Sequence, residues 1–317
     1  MTKKSFEIKS AFDGLTLKGM LYEPDGECKG LVHILHGKSE YKERYEEFMQ
    51  FLCENGYVAA CHDHRGHGDS VEKDEDRGWF GDFSGEAVVA DAVAVTKALK
   101  KQYPNVPTIL YGHSMGSMIA RCYMQEHDTL IDKAVISGTP NANPLVNTAI
   151  FLAKTMRVFC GQRHRSKMLD FLSTGKGNKN FPGEGAGAWL SSNRENIEEF
   201  YANPKGRYRF TCNGFENLFK LLKHTYTAKR YAVENPDMPI HFISGDKDPV
   251  MGSVADWVRA VDFMKDLGYQ NVSAKLYKDL RHEVHHEPTR QMVYNDVLAF
   301  LDGRMKIANV EEASEKE

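Results

Sequence analysis

The chain has 317 residues, 41% hydrophobic and 27% charged, with a formal net charge of −3. Such a composition belongs to a soluble globular protein and gives no global pull toward nucleic acid. The opening MTKKSFEIKS lacks the apolar core of a secretory signal, and no run reaches the roughly 18 apolar residues of a membrane span. Six scattered cysteines form no C-x-x-C, so a reduced, cytoplasmic protein is the expectation.

In chain order, the alternating stretches SFEIKS and LTLKGMLYEP predict an antiparallel pair turning at Asp13-Gly14. GLVHILHG is almost continuously apolar, the mark of a strand buried on both faces of a parallel sheet. Tyr45, Phe48, Met49 and Leu52 share one face of a helix over 41–55, which Gly56 stops. Strand and helix then alternate: YVAACHDH, a helix over about 86–102, TILYGHS, a helix over about 115–127, and KAVISGT. This rhythm predicts a parallel sheet with helices on both faces.

The rhythm breaks at Pro140 and resumes near Pro239 with PIHFISGD, a helix near 253–267, VSAKLYKD and a helix over about 288–305. The intervening hundred residues hold two strong helical patterns, PLVNTAIFLAKTMRVF and FENLFKLLKHTY, separated by a glycine-rich loop, STGKGNKNFPGEGAGAW. The expected organisation is one core domain, 1–139 and 233–308, a helical cap inserted at 140–232, and an acidic tail at 309–317.

YGHSMG ends an apolar strand and opens a helix, fitting G-x-S-x-G with Gly112, Ser114 and Gly116. A serine on so tight a strand-to-helix turn is lifted above the sheet, and side chains at 112 or 116 would crowd the neighbouring backbone. The hydroxyl needs a base held by a third group, in the chain order Ser, Asp or Glu, His. ISGDKDPV supplies Asp246 and Asp248, and LYKDLRHEV supplies His282, each just past an apolar strand. Pro249 forces an extended or turn conformation on Asp248, which suits a loop carboxylate, yet periodicity leaves Asp246 open as well. For an oxyanion hole, one backbone N–H comes from Met115 and the second candidate is Lys38, after Gly37. The bland alternative is that Gly37 only ends a strand.

Two segments invite a metal. HDHRGHGDS packs three His and two Asp into nine residues but reads better as a loop bracing the site. His282, Glu283 and His286 match H-E-x-x-H, which requires one helix through all five residues. Here the segment follows a strand, and Pro288 with the later periodicity of Met292, Val293, Val297, Phe300 and Leu301 starts the helix at about 286–288. His282 therefore falls in a loop as a base, and His285 and His286 are expected at the surface or against the cap.

The segments HGKSEYKERYEEF, DHRGHGDS, GHSMG, SGDKDPV and RHEVHHE together resemble the α/β-hydrolases of the monoacylglycerol lipase and lysophospholipase-like group, over residues 33–287. WLSSNRENIEEF and RFTCNGF resemble cap sequences of bacterial members. The resemblance implies the α/β-hydrolase fold, a mostly parallel sheet with an inserted helical cap. It implies the triad Ser114, Asp248 and His282, and hydrolysis of esters of single-chain lipids without metal or organic cofactor. Many members carry a small residue where this chain has Lys38; only its N–H is needed for the hole, so the difference bears on access.

Residues 140–232 hold 15 Lys and Arg against 6 Asp and Glu, a net of +9, which leaves −12 for the rest. A basic, apolar cap on an acidic body suits a phosphate-bearing lipid or contact with an anionic membrane surface. The alternatives on the same residues are a general short-chain carboxylesterase or peptidase, and a non-catalytic lipid-binding pseudo-hydrolase. Head group, acyl length and oligomeric state have no signature in the sequence.

Overall fold

The computed structural model describes residues 1–175 and 177–305. Eight strands form one sheet in the order β1-β2-β4-β3-β5-β6-β7-β8. β1 (Thr2–Lys9), β2 (Thr16–Glu23) and β4 (Tyr57–His62) pair antiparallel in sequence. From β4 onward the pairs are parallel, through β3 (Gly30–Leu35), β5 (Thr108–His113), β6 (Lys133–Ser137), β7 (Ile240–Gly245) and β8 (Val272–Tyr277). This is the mostly parallel sheet that the alternation of apolar runs and helical patterns predicts. The turn between β1 and β2 uses Gly14 at φ +75°, a region a side chain would resist.

The period of two sorts the strand residues between two cores. Val32, Ile34, Ile109 and Tyr111 face α1 (Glu46–Glu54) and α9 (Arg290–Leu301). Leu35, Leu110, Ile136 and Phe242 face α3 (Met115–His127) and α8 (Val254–Asp266), with α2 (Ala87–Gln102) on the same side. Burying each such side chain contributes about 1.5–3 kcal/mol, so a one-residue slip would expose a whole row.

Two predicted helix starts move. The 41–55 segment opens with a tight turn at Lys42–Tyr45 before α1 begins at Glu46, because the Lys42 N–H donates to Asp63 Oδ1 at 2.8 Å. α9 starts at Arg290, after a short turn at Val284–His286, and ends at Leu301 before Gly303 at φ +69°. The tail at 309–317, like the end of the core segment at 306–308, lies outside the described residues.

Between β6 and β7 the described residues add no strand to the sheet. They form α4 (Val146–Cys160), α5 (Lys167–Thr174), α6 (Arg194–Ala202) and α7 (Cys212–Thr225). α7 packs on α3, and Phe215, Leu218 and Phe219 join the sheet's own core. Thr211 caps α7, accepting the Gly214 N–H at 3.1 Å. No helix among the described residues is long and apolar enough to cross a membrane.

Candidate active site

Every candidate side chain follows the carboxyl end of a parallel strand: Lys38 after β3, Ser114 after β5, Asp248 after β7 and His282 after β8. Open parallel sheets gather their ligands along that edge. Ser114 sits at φ 53° and ψ −115°, a sparsely populated conformation for a residue with a side chain. Its N–H donates to Ser137 O at 2.9 Å, which ties the turn to β6. The flanking glycines are required by contact. A Cβ on Gly112 would meet Gly116 O at 2.4 Å, and one on Gly116 would meet Leu35 O at 2.0 Å.

His282 Nδ1 lies 2.8 Å from Asp248 Oδ2, both buried. Asp248 is held by Ser244 Oγ at 3.1 Å and by the Val250 N–H at 2.8 Å, a bond that the turn at Pro249 makes available. Asp246 lies elsewhere: it accepts the Asp279 N–H at 2.8 Å and has Lys247 at 3.8 Å. Of the two carboxylates that the sequence left open, Asp248 is thus the one beside His282. Burial disfavours the imidazolium, but Asp248, with Glu283 and Glu40 beyond it, outweighs that penalty and raises His282 above its ordinary value.

Ser114 and His282 line one cavity of about 520 Å³. The Ser114 hydroxyl has no hydrogen-bond partner on His282, and such bonds commonly tighten only when substrate is bound. Gly37 approaches Ser114 closely enough that a Cβ there would lie 3.2 Å from the serine Cβ. The N–H groups of Lys38 and Met115 have no acceptor among the described residues, whereas the Gly37 N–H is taken by Glu40 Oε1.

That contact belongs to a charged network with little trace in the sequence. Arg44 reaches Glu40 at 2.7 Å and grips Glu283 with two bonds of 2.8 and 2.7 Å. All three are buried, and Asn196 of α6 bonds both Arg44 and Glu283. Burial raises both carboxyls; Arg44 pulls Glu283 back well below its ordinary value, while Glu40 stays raised. Arg44 and Glu40 stand four apart, a visible pairing, but Glu283 is 239 residues away.

The H-E-x-x-H segment is not a helix. His282 turns to Asp248, Glu283 to Arg44, and only Val284–His286 makes a short turn. His285 corrects the surface expectation: it is buried, stacked on Tyr45 at 4.9 Å and under His113 at 4.5 Å. His286 is half-buried. In HDHRGHGDS, Arg65 pairs with Asp91 at 2.7 Å, and Asp63 converges with Glu43 and Asp69. The Lys42 ammonium already fills that convergence, 2.8, 2.7 and 2.5 Å from Glu43, Asp63 and Asp69.

The inserted segment is fastened to both sides of the site. Glu287 accepts from Ser191 Oγ at 3.0 Å and from the Ser192 N–H at 2.9 Å, and the Glu283 N–H donates to Leu190 O at 2.7 Å. This brings Trp189 against His282, rings 5.2 Å apart. On the other side Lys38 Nζ bonds Asp170 at 3.0 Å and Ser173 at 3.1 Å on α5, and Ser39 Oγ donates to Tyr208 O at 2.8 Å. The cavity wall comes from α5, α6 and the loops at 189–190 and 207–209. α4 and α7, the two helices with the strongest pattern in the sequence, contribute nothing to it.

The family model described as "Serine aminopeptidase, S33" matches residues 26–289. A monoglyceride lipase of Rattus norvegicus is 25% identical over 304 residues, covering 93% of this chain and 90% of the relative. A monoacylglycerol lipase of Mycolicibacterium smegmatis is 27% identical over 286 residues, covering 89% and 91%. A thermostable carboxyl esterase of Bacillus coagulans, solved with glycerol, superposes with a TM-score of 0.83 at 25% identity, covering 96% of this chain and 99% of the other.

Proposed function

The chain belongs to the serine aminopeptidase S33 family of α/β-hydrolases, and from that premise we propose that it hydrolyses carboxylic esters of single-chain lipids, a monoacylglycerol or lysophospholipid, through Ser114, Asp248 and His282. His282, oriented by Asp248, takes the proton of Ser114, which attacks the ester carbonyl. The N–H groups of Lys38 and Met115 hold the oxyanion, each such donor being worth about 2.7–4 kcal/mol. His282 then returns the proton to the departing alcohol, and water releases the acyl group by the same steps. Each proton transfer uses this chain's own side chains.

The observation that carries the reading is a strained Ser114 lining one cavity with a His282 that is held 2.8 Å from the buried Asp248 carboxylate. We read 140–232 as a cap over that cavity. Its exposed Phe151, Phe159, Phe171 and Leu172, on a segment of net charge +9, favour transient contact with an anionic membrane surface.

A second reading, esters of short acyl chains, is favoured by the cavity itself, whose lining is mostly polar. p-Nitrophenyl esters from two to sixteen carbons separate the two. They are to be run with wild type, with Ser114→Ala and with EDTA. Activity that vanishes in Ser114→Ala, ignores EDTA and peaks at long chains supports the lipid reading. A peak at two to four carbons moves the assignment to a short-chain esterase. Activity surviving Ser114→Ala would falsify the mechanism.

A further inference from the structure

Pockets for hydrocarbon are lined mainly by hydrocarbon. Among the side chains lining the cavity with Ser114, Trp189, Leu190 and Phe200 are apolar, Tyr201 and Tyr208 add aromatic rings with hydroxyls, and most of the rest are polar or charged. The cavity's charges do not balance. Glu40 and Glu283 are both spent on Arg44, which leaves Lys38, Arg207 and Arg209 facing the single carboxylate of Asp170. Asp170 is already shared: Lys38 Nζ lies 3.0 Å from one oxygen and Arg209 Nε 3.4 Å from the other.

Arg207 has no carboxylate partner among the described residues. Its guanidinium carbon lies over the Tyr201 ring, 4.1 Å from the centroid, a contact that holds the side chain without neutralising it. Its backbone is held at φ +54°, rare for a residue with a side chain. The Arg207 N–H donates to Ser39 O at 3.1 Å, one residue from the candidate oxyanion donor Lys38. The chain therefore spends an unfavourable backbone conformation on an exposed guanidinium without a carboxylate partner, on the cavity that Ser114 also lines.

We propose that Arg207 and Arg209, with Lys38 behind them, bind an anionic group, a phosphate or a carboxylate, on the alcohol half of the ester substrate. The guanidinium fork matches either anion, and binding it needs no carboxylate to be displaced at Arg207. Asp170 acts as the counter-ion that keeps the cluster folded. This inference rests on the reading of Ser114 as an esterase nucleophile, and it chooses within that reading: an ester with an acidic head group over a neutral glycerol.

The test compares three esters of one acyl chain: a monoacylglycerol, its 3-phosphate, and the glycerate in which a carboxylate replaces a hydroxymethyl. Wild type should favour one or both acidic esters in kcat/KM, and which one identifies the anion. In Arg207→Gln the ratio of acidic to neutral kcat/KM should fall by about 10-fold or more, the loss of one charge-assisted contact. Arg207→Lys should restore part of it. Asp170→Asn should move the ratio the opposite way, a sign that mere loss of packing would not produce. Binding of glycerol 3-phosphate to Ser114→Ala, followed by calorimetry with and without Arg207→Gln, reads the site apart from turnover. If no ester is cleaved but glycerol 3-phosphate binds through Arg207, the anion site stands and the esterase reading falls. Equal turnover of all three esters, with a ratio indifferent to Arg207 and Asp170, overturns the proposal and leaves the esterase reading intact.

Discussion

At the scale of single residues, the proposed role of His282 as general base makes a prediction about pH. A general base must be neutral, and this imidazole is raised above its ordinary 6.5 because Asp248 and the two glutamates behind it outweigh burial. The acidic limb of kcat/KM for ester hydrolysis should therefore lie above pH 6.5, with activity rising through it as protons leave. Stability runs the other way. A histidine whose folded pKa is raised contributes stability that is fully present below the unfolded pKa, near 6.5, and is lost as pH climbs through the folded value. Asp248→Asn removes the main raising influence, so it should move the limb to lower pH while lowering activity. The melting-temperature difference between wild type and the variant should be larger at pH 6 than at pH 8.5. A wild-type limb at or below pH 6.5 would mean that burial, not Asp248, dominates His282.

At the scale of elements, Arg44 joins three that are remote in sequence: its own turn before α1, the loop after β8 through Glu283, and α6 through Asn196. Removing it with Arg44→Met leaves Glu40 and Glu283 buried without a counter-charge, a loss of about 3–5 kcal/mol. Glu40 also holds the Gly37 N–H and the Tyr45 hydroxyl at 2.9 Å, so the turn carrying Lys38 should loosen and kcat should fall with stability. Arg44→Lys keeps the charge but not the fork and should fall between. Denaturant midpoints together with kcat decide the matter; an Arg44→Met protein with wild-type values for both would show that the network carries neither role. The contrast between elements explains what the sequence disclosed. The parallel strands were legible because every residue of β3, β4, β5 and β7 is buried, which leaves a mostly apolar run broken only by an occasional His, Ser or Thr. α4 and α7 were legible from their apolar content. α5 and α6 were not: they are eight and nine residues long, α5 borders a glycine-rich loop, and α6 buries only Ile197 and Phe200. The cavity wall was hidden with them, since Asp170, Thr174, Phe200 and Tyr201 stand on those two helices. Ser114, His282 and the pair Asp246 and Asp248 could be named as candidates because each lies at a strand end in a fixed chain order, whereas Arg44–Glu283 has no local period to betray it.

At the scale of the whole molecule, charge is separated: +9 over residues 140–232 and −12 over the remainder. On the proposed membrane contact, that separation would turn the inserted segment toward an anionic surface, each nearby Lys or Arg being worth about 1 kcal/mol. The same segment exposes Phe151 and Phe159 on α4, and Met168, Phe171 and Leu172 on α5. Phe159 is 83% exposed, unusual for a large apolar side chain with nothing else to do. α5 links this face to the site. Asp170 and Thr174, one turn apart, line the cavity, Leu169 is buried, and Met168, Phe171 and Leu172 point away to the outside. Seating that face in a bilayer interface would thus bring the cavity wall to the surface where single-chain lipids reside. Flotation with vesicles should show binding to anionic bilayers that weakens as salt rises, because the Lys and Arg contribution is screened. A Phe151→Ser, Phe159→Ser double variant should weaken it by about 10-fold or more, since two aromatic side chains half-buried in the bilayer interface would be worth at least about 1.4 kcal/mol. Both positions are exposed, so the variant should keep its melting temperature and its turnover of dispersed short-chain esters. Equal binding to zwitterionic and anionic vesicles, or binding indifferent to the two phenylalanines, would sink the membrane contact while leaving the chemistry at Ser114 untouched.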